Sequence, residues 1–228
     1  MSIKDKLLHL KESLPSGVGL LAVSKFHPAE AILEAYEAGQ RRFGESRPQE
    51  LKEKYAALPK DIEWVMIGHL QTNKIKYIAP FVSLIESLDS ERLAVAVNEQ
   101  ALKCGRTIDC LVEVHVTQEQ TKSGWAWEEL VEFATSGGFR KLQNLRIRGV
   151  MGMATLTDDE AVIRADFERI RACKAELAKY FDESFDTLSM GMSDDYHIAL
   201  EYDTTEVRIG STIFGSRTAQ YNNLFPNL

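Results

Sequence analysis

The chain has 228 residues, of which 44% are hydrophobic and 27% are charged, and its formal net charge is −7. This composition is typical of a globular protein, and the negative charge argues against a nucleic-acid partner or a membrane surface. No apolar run approaches the ~20 residues of a membrane-spanning helix, and the three cysteines form no CxxC pair. We therefore expect a cytoplasmic protein with reduced thiols and without a metal site.

Strand-like and helical patterns alternate after a predicted amphipathic helix at about 1–14. The predicted strands, each followed by its helix, are 19–25 and 28–39, 41–46 and 48–58, 62–68 and 72–79, 81–88 and 90–105, 108–116 and 126–138, 145–154 and 158–181, and 185–193 and 194–203, with a last strand at 205–215. Regular alternation predicts parallel strands with helical crossovers.

Eight such units predict an α/β fold, a TIM-type (β/α)8 barrel over about 19–215, with residues 1–228 as a single domain. The alternative fold is an open doubly wound sheet. It is disfavoured because no GxGxxG motif follows the first strand.

A lysine, Lys25, closely follows the apolar run GLLAV of the first strand. Lysines are almost never fully buried without a partner. Because strand side chains alternate between faces, Lys25 points into the barrel if Leu21 and Val23 do. Functional residues of TIM barrels lie at the C-terminal ends of the strands, which is where Lys25 is predicted. The alternative is that Lys25 only marks the point where the strand reaches solvent.

The last strand is predicted to bring a second cation to the same mouth. The alternation that turns Val207 and Ile209 toward the helices turns Glu206 and Arg208 inward. The first and last strands are neighbours in a closed barrel, so Lys25 and Arg208 are expected close together. Two neighbouring cations in a partly desolvated place need an anionic ligand. The alternative is that Arg208 pairs with Glu206 or another acid.

Two segments rich in glycine and serine, SMGMS at 189–193 and RIGST at 208–212, follow the seventh and eighth strands. The loops at these places in TIM barrels frequently bind phosphate, and glycines let backbone N–H groups approach it. Ser193, Gly210 and Ser211 are therefore candidate phosphate-binding residues. The alternative for Ser193 is the N-cap of the next helix. A reactive lysine beside a phosphate site is what pyridoxal 5′-phosphate (PLP) requires.

Seven segments together carry a family resemblance: LLAVSK, FGESRPQE, WVMIGHLQTNK, TKSG, RGVMGM, SMGMSDDYHIAL and VRIGSTIFG. They resemble the bacterial YggS-like PLP homeostasis proteins, which are similar to the N-terminal barrel domain of alanine racemase standing alone. The resemblance implies a barrel of PLP fold type III. It implies that Lys25 forms a Schiff base with PLP and that Arg208 faces the pyridine nitrogen.

The resemblance also implies further cofactor-binding residues around the mouth of the barrel. They are Ser46, His69, Asn73, Met192, Ser193, Gly210 and Ser211, and Lys122 in TKSG is expected to approach the same site. Two positions depart from the family pattern: Phe26 stands where the family often has threonine, and Ser46 where it usually has asparagine. Ser46 has a shorter reach, so a polar contact near the cofactor ring is expected to be lost or bridged by water. Glu45 and Gln49 of the same motif are retained.

The resemblance implies a carrier that stores and delivers PLP, without established turnover. Its expected partners are PLP and apo forms of PLP-dependent enzymes, and it is expected to be a monomer. The alternatives are a PLP-dependent racemase and, more remotely, a cofactor-free Schiff-base aldolase. Arginine cannot accept a proton, so Arg208 would keep the pyridine nitrogen unprotonated and PLP a weak electron sink. Only thirteen residues follow Gly215, so we expect no second domain that supplies a base. For a racemase, the candidate bases are His69, His115 and Tyr196.

Overall fold

The computed structural model describes residues 1–117 and 123–215. Its strands are β1 (Gly19–Val23), β2 (Arg42–Glu45), β3 (Glu63–Met66), β4 (Leu84–Leu88), β5 (Ile108–Glu113), β6 (Leu145–Met151), β7 (Thr187–Met192) and β8 (Glu206–Ile209). Its α-helices are α1 (Ile3–Ser13), α2 (Ala29–Glu37), α3 (Pro48–Ala57), α4 (Glu91–Lys103), α5 (Trp127–Thr135), α6 (Glu160–Leu177), α7 (Tyr196–Ala199) and α8 (Ser211–Phe214). Short 3₁₀ helices cover Thr72–Tyr77, Phe139–Lys141, Ala178–Tyr180 and Leu200–Tyr202.

The strands form a closed barrel in which each strand pairs in parallel with the next. The pairing of β1 with β8, which sets Leu21 beside Arg208, closes it. This confirms the predicted TIM-type barrel. The barrel also places the carboxyl ends of β1, β7 and β8 side by side, so the residues that follow these strands share one mouth.

Two separate apolar clusters follow from the alternation of strand side chains. The interior of the barrel holds a small cluster, with Leu21, Val65, Leu84, Leu111 and Met151. A much larger cluster lies between the strands and the surrounding helices, and it includes Val207 and Ile209. The orientation predicted for these two residues of β8 is therefore confirmed, and Glu206 and Arg208 face the interior.

Local sequence signals explain where several helices begin. Ser2 and Asp5 form a reciprocal capping box at the start of α1, and the Ser90 side chain caps α4. Pro48 occupies the first turn of α3, where its missing N–H costs nothing. These signals fix the entry points of crossovers whose apolar faces then pack against the barrel.

Three predicted elements differ from the structure. The helix predicted at 72–79 is a 3₁₀ helix, Thr72–Tyr77. The strand predicted at 205–215 ends at Ile209, because Gly210 leaves the extended conformation and its carbonyl accepts from the Ile213 and Phe214 N–H groups, which begins α8. The helix predicted at 194–203 is a short α-helix and a 3₁₀ turn, which Asp203 ends in the left-handed conformation.

Candidate membrane-spanning helices and metal sites are both absent from the part of the chain that the structure describes. Among the described residues, no helix combines the length and the apolar character that crossing a bilayer requires. Within residues 1–117 and 123–215, no group of three or more His, Cys, Asp or Glu side chains is arranged to hold a metal ion.

Candidate functional site

A cavity of about 290 Å³ opens at the carboxyl ends of β1, β7 and β8. This volume is near the lower end of the roughly 300–1,000 Å³ of small-molecule sites. The predicted residues that line it are Lys25, Met192, Ser193, Arg208, Gly210 and Ser211. The fold thus brings together the lysine, the arginine and both glycine–serine segments, which lie far apart in the chain.

Lys25 lies in a tight turn between β1 and α2. The Ser24 N–H donates to the Gly44 carbonyl at 3.0 Å, and the His27 N–H donates back to the Ser24 carbonyl at 3.0 Å. Phe26 adopts a φ of 67°, in the left-handed region that non-glycine residues rarely occupy. The lysine is therefore presented by a backbone conformation that must be held by its surroundings.

Arg208 is 4% exposed and projects into the barrel beneath the cavity. Its guanidinium donates to Ser189 Oγ and to the Gly152 carbonyl, both at 2.8 Å. Its Nη1 lies 3.7 Å from Glu86 Oε2, and Ser189 Oγ donates to the same carboxylate oxygen at 2.8 Å. Arg208 therefore has an acidic neighbour, which is Glu86.

Glu206 completes a polar group inside the barrel, which we call the inner cluster (Arg42, Glu86, Ser189, Glu206 and Arg208); its members are buried except Arg42, which is partly exposed. Glu206 forms an ion pair with Arg42. Burial raises the pKa of the Glu206 carboxyl well above its usual range, the nearby Glu86 raises it further, and Arg42 lowers it. The Glu206 carboxyl therefore holds its proton more tightly than an exposed carboxyl does.

Ser193 connects the two glycine–serine segments. Its Oγ accepts a hydrogen bond from the Gly210 N–H at 3.3 Å. The N-cap position of α7 is Asp195, whose carboxylate accepts from the Met192 N–H at 2.6 Å. The interpretation of Ser193 as a helix cap is therefore wrong. Gly191 has a φ of +93°, and a Cβ there would lie 2.7 Å from Ala199 Cβ, so this turn requires glycine.

The other predicted residues lie in neighbouring cavities around the rim. Ser46 and His69 line a cavity of about 540 Å³ beside the start of α3, and His69 and Asn73 line one of about 460 Å³ beside α4. The His69 side chain is 65% exposed, and its Nδ1 lies 3.0 Å from Asp89 Oδ2. Their cofactor roles stay predictions. Lys122 lies outside the described residues.

Sequence reasoning missed several polar groups that support the mouth. Glu86 stands in the apolar run LIESL, and Glu113 ends β5 on the face that points into the barrel. Glu113 is buried and accepts from Ser123 Oγ at 2.9 Å, and burial raises the pKa of its carboxyl to about 6. An acid at an inward strand position was the available signal for both residues.

Comparison with known proteins identifies the family of this chain. The family model described as "Alanine racemase, N-terminal domain" matches residues 1–218. The pyridoxal phosphate homeostasis protein of Aquifex aeolicus is 40% identical over 202 residues, which cover 87% of this chain and 86% of that protein. The chain belongs to the pyridoxal phosphate homeostasis protein family. The family member of Escherichia coli is 37% identical over 207 residues, which cover 89% of this chain and 87% of that protein. The resemblance read from the sequence motifs is confirmed.

Solved structures agree with this family. PipY of Synechococcus elongatus, in a structure with PLP bound, is 37% identical, has a TM-score of 0.86, and is matched over 94% of this chain and 100% of that chain. The alanine racemase of Streptomyces lavendulae is 18% identical, with a TM-score of 0.78, and is matched over 96% of this chain and 60% of that chain. At this low identity, the second similarity concerns the fold alone.

Proposed function

We propose that this protein binds PLP through a Schiff base on Lys25 and that it stores and delivers the cofactor without converting amino acids. The observation that carries the proposal is the cavity at the ends of β1, β7 and β8, which Lys25, Arg208, Ser193 and Ser211 line together. The PLP-bound structure of the relative PipY supports the choice of ligand.

The residues of the cavity fit the functional groups of PLP. The Lys25 amine adds to the aldehyde carbon, water leaves, and a C=N bond remains. The Ser193 Oγ accepts from the Gly210 N–H, so its own proton is left to donate to a phosphate oxygen. Ser211 lines the same side of the cavity and offers a second hydroxyl. We assign the phosphate to these residues and the pyridine nitrogen to Arg208.

The contacts and the chemistry of Arg208 favour a carrier over an enzyme. When bound, PLP supplies an electron sink whose strength depends on protonation of its ring nitrogen. Arg208 cannot give up its charge or accept a proton, and Ser189, Gly152 and Glu86 hold it in place. It therefore leaves the ring nitrogen unprotonated, which disfavours chemistry through a carbanion.

The test of the covalent site is borohydride reduction of the PLP-loaded protein, followed by peptide mapping. We expect the label on Lys25 and the loss of C=N absorbance in Lys25→Ala, with the same unfolding midpoint for the PLP-free proteins. Label on Lys74, with Lys25 unmodified, would show that the assignment is wrong.

A racemase-like activity is the second candidate function. It is favoured by Glu113, whose carboxyl has a pKa raised to about 6 inside the barrel, and by the His69–Asp89 pair at the rim. His115 and Tyr196 are the further candidate bases. Interconversion of D- and L-alanine, measured alongside PLP transfer to an apo-enzyme, separates the two functions. Turnover of about 1–10³ per second would contradict the carrier.

The proposal also covers the oligomeric state, the location and the partners of the protein. We propose that it acts as a monomer in the cytoplasm and that apo forms of PLP-dependent enzymes receive the cofactor. The scattered cysteines, which do not form a CxxC pair, support a reducing compartment. Light scattering of the PLP-loaded protein tests the monomer, and a mass of two chains would exclude it.

A further inference from the structure

A second buried group of charges lies outside the barrel wall, directly behind the turn that carries Lys25. It consists of Ser24, Glu45, Glu50 and Lys54, and we call it the outer cluster. Lys54 projects from α3 and is only 5% exposed, while Glu45 and Glu50 are 0% and 8% exposed. Charged side chains are rarely buried to this extent unless they are paired, so these positions are held by specific contacts.

The contacts of the outer cluster are short and converge on one ammonium group. Lys54 Nζ donates to Glu45 Oε1 at 2.7 Å, to Glu50 Oε1 at 2.8 Å and to the Ser24 carbonyl at 2.9 Å. Ser24 Oγ also donates to Glu45 Oε1 at 2.5 Å. All three protons of the ammonium group are therefore used, which fixes its direction.

Two hydrogen bonds join the outer cluster to the backbone on either side of Lys25. Lys54 holds the carbonyl of Ser24, the residue before the lysine. Glu50 accepts from the N–H of Phe26, the residue after it, at 2.8 Å. The Phe26 backbone is in the left-handed region, which a non-glycine residue keeps only when its surroundings require it. The hydrogen bonds of the outer cluster hold the backbone in this conformation on both sides of the lysine.

We propose that Glu50 and Lys54 are positioning residues, which fix the turn at residues 24–26 and thereby aim Lys25 Nζ at the aldehyde carbon of PLP. The proposal rests on the proposed function, in which Lys25 forms the Schiff base. Loss of Glu50 or Lys54 should therefore slow the covalent step, because a misplaced amine attacks slowly even when the ligand is bound. Noncovalent binding depends on Arg208 of β8 and on Ser193 and Ser211, which follow β7 and β8, and it is left intact.

The test compares Glu50→Ala with Glu50→Gln. Glutamine keeps an oxygen that can accept from the Phe26 N–H, whereas alanine removes it. In both variants the Lys54–Glu45 pair remains, so the buried ammonium keeps an acidic partner. Glu53→Ala is the matched control, because Glu53 is exposed on the same helix. Two probes are used: PLP, and pyridoxine 5′-phosphate, which has a hydroxymethyl group in place of the aldehyde.

We expect Glu50→Ala to slow formation of the borohydride-trapped Lys25 adduct by about tenfold to a hundredfold, the scale for a misplacement near 1 Å. Its affinity for pyridoxine 5′-phosphate stays within about twofold of the unaltered protein, the scale of a few tenths of a kcal/mol. Glu50→Gln and Glu53→Ala keep a trapping rate close to that of the unaltered protein.

Equal losses for both probes would overturn the proposal, because they would mean that the cluster only maintains the fold. A normal trapping rate in Glu50→Ala would overturn it as well. If Glu50→Ala does not fold, Glu50→Met carries the same comparison, because methionine fills a similar volume and also lacks the oxygen that accepts from the Phe26 N–H. If the unaltered protein itself yields no adduct at Lys25, the proposed function fails, and that result is distinguishable from failure of the positioning role.

Discussion

The inner and outer clusters bury similar groups but hold the site in different ways. The outer cluster fixes backbone: its ammonium and carboxylate groups bond to the Ser24 carbonyl and the Phe26 N–H. The inner cluster fixes a side chain, since Ser189, Gly152 and Glu86 surround the guanidinium of Arg208. A flexible lysine is thus aimed through its turn, and a rigid guanidinium through its own hydrogen bonds.

The clusters also differ in their charge balance. One ammonium faces two carboxylates in the outer cluster, and the pKa of Glu45 is raised to about 7, chiefly by burial, although Lys54 opposes this. In the inner cluster, two guanidinium groups face two carboxyl groups, one of which has a strongly raised pKa. We therefore expect the outer cluster to change its charge near neutral pH.

The largest expected effect comes from removing the single ammonium of the outer cluster. Lys54→Met should lower the free energy of unfolding at pH 8 by about 3–5 kcal/mol, the scale for breaking a buried charge pair. The measurement is urea unfolding of the PLP-free protein. Lys52→Met, an exposed position on the same helix, should stay within about 0.5 kcal/mol. Equal effects of the two substitutions would show that Lys54 is not the centre of a cluster.

The next effect concerns the inner cluster. Ser189→Ala removes the hydroxyl that bonds to both Arg208 and Glu86 and should cost about 1.5–3 kcal/mol, the scale for hydrogen bonds to charged groups. The rate of adduct formation at Lys25 should stay normal, because the turn at 24–26 is untouched. Urea unfolding and borohydride trapping measure the two quantities, with the exposed Ser136→Ala as control. Slower trapping would contradict the separation of the two clusters.

The pH dependence of stability distinguishes the clusters further. The folded state holds the proton of Glu45 more tightly than the unfolded chain, since its pKa is about 7 against an ordinary value of 4.5. Its contribution to the free energy of unfolding therefore falls as the pH rises from 4.5 to 7, by at most about 1.4 kcal/mol per pH unit.

Glu45→Gln should remove this part of the slope, while Glu53→Gln should leave the slope unchanged. Urea unfolding at half-unit steps of pH gives both profiles. Parallel profiles for the unaltered protein and Glu45→Gln would place the proton elsewhere, for example on Glu206 of the inner cluster.

The smallest effect is expected at the rim, which belongs to neither cluster. His69 is exposed, and its contact with Asp89 is open to solvent. His69→Ala should change the free energy of unfolding by about 0.2–1 kcal/mol, and its predicted place at the cofactor requires that the affinity for PLP falls by more than about twofold. Absorbance titration with PLP measures the latter, and an unchanged affinity would show that the predicted cofactor role of His69 is wrong.

The sequence by itself determined the barrel fold and the end of the barrel at which the candidate site lies. Alternation of strands and helices has a local cause, the spacing of apolar residues, and it can be read without knowing any contact. The same alternation set the inward direction of Arg208 and predicted that Lys25 lies beside it. Glycine and serine positions in SMGMS and RIGST marked the loops that complete the cavity.

Only the tertiary structure decided which polar groups meet. Ser189 reaches Glu86 across 103 residues of chain, and Lys54 reaches the Ser24 carbonyl beside Lys25 across 30 residues. Such pairings depend on strand register, which shifts between Ile85 and Leu88 and between Ser189 and Met192. One residue of shift reverses the face of a side chain, so the partners of Lys25 and Arg208 follow from the closed barrel and not from the local sequence.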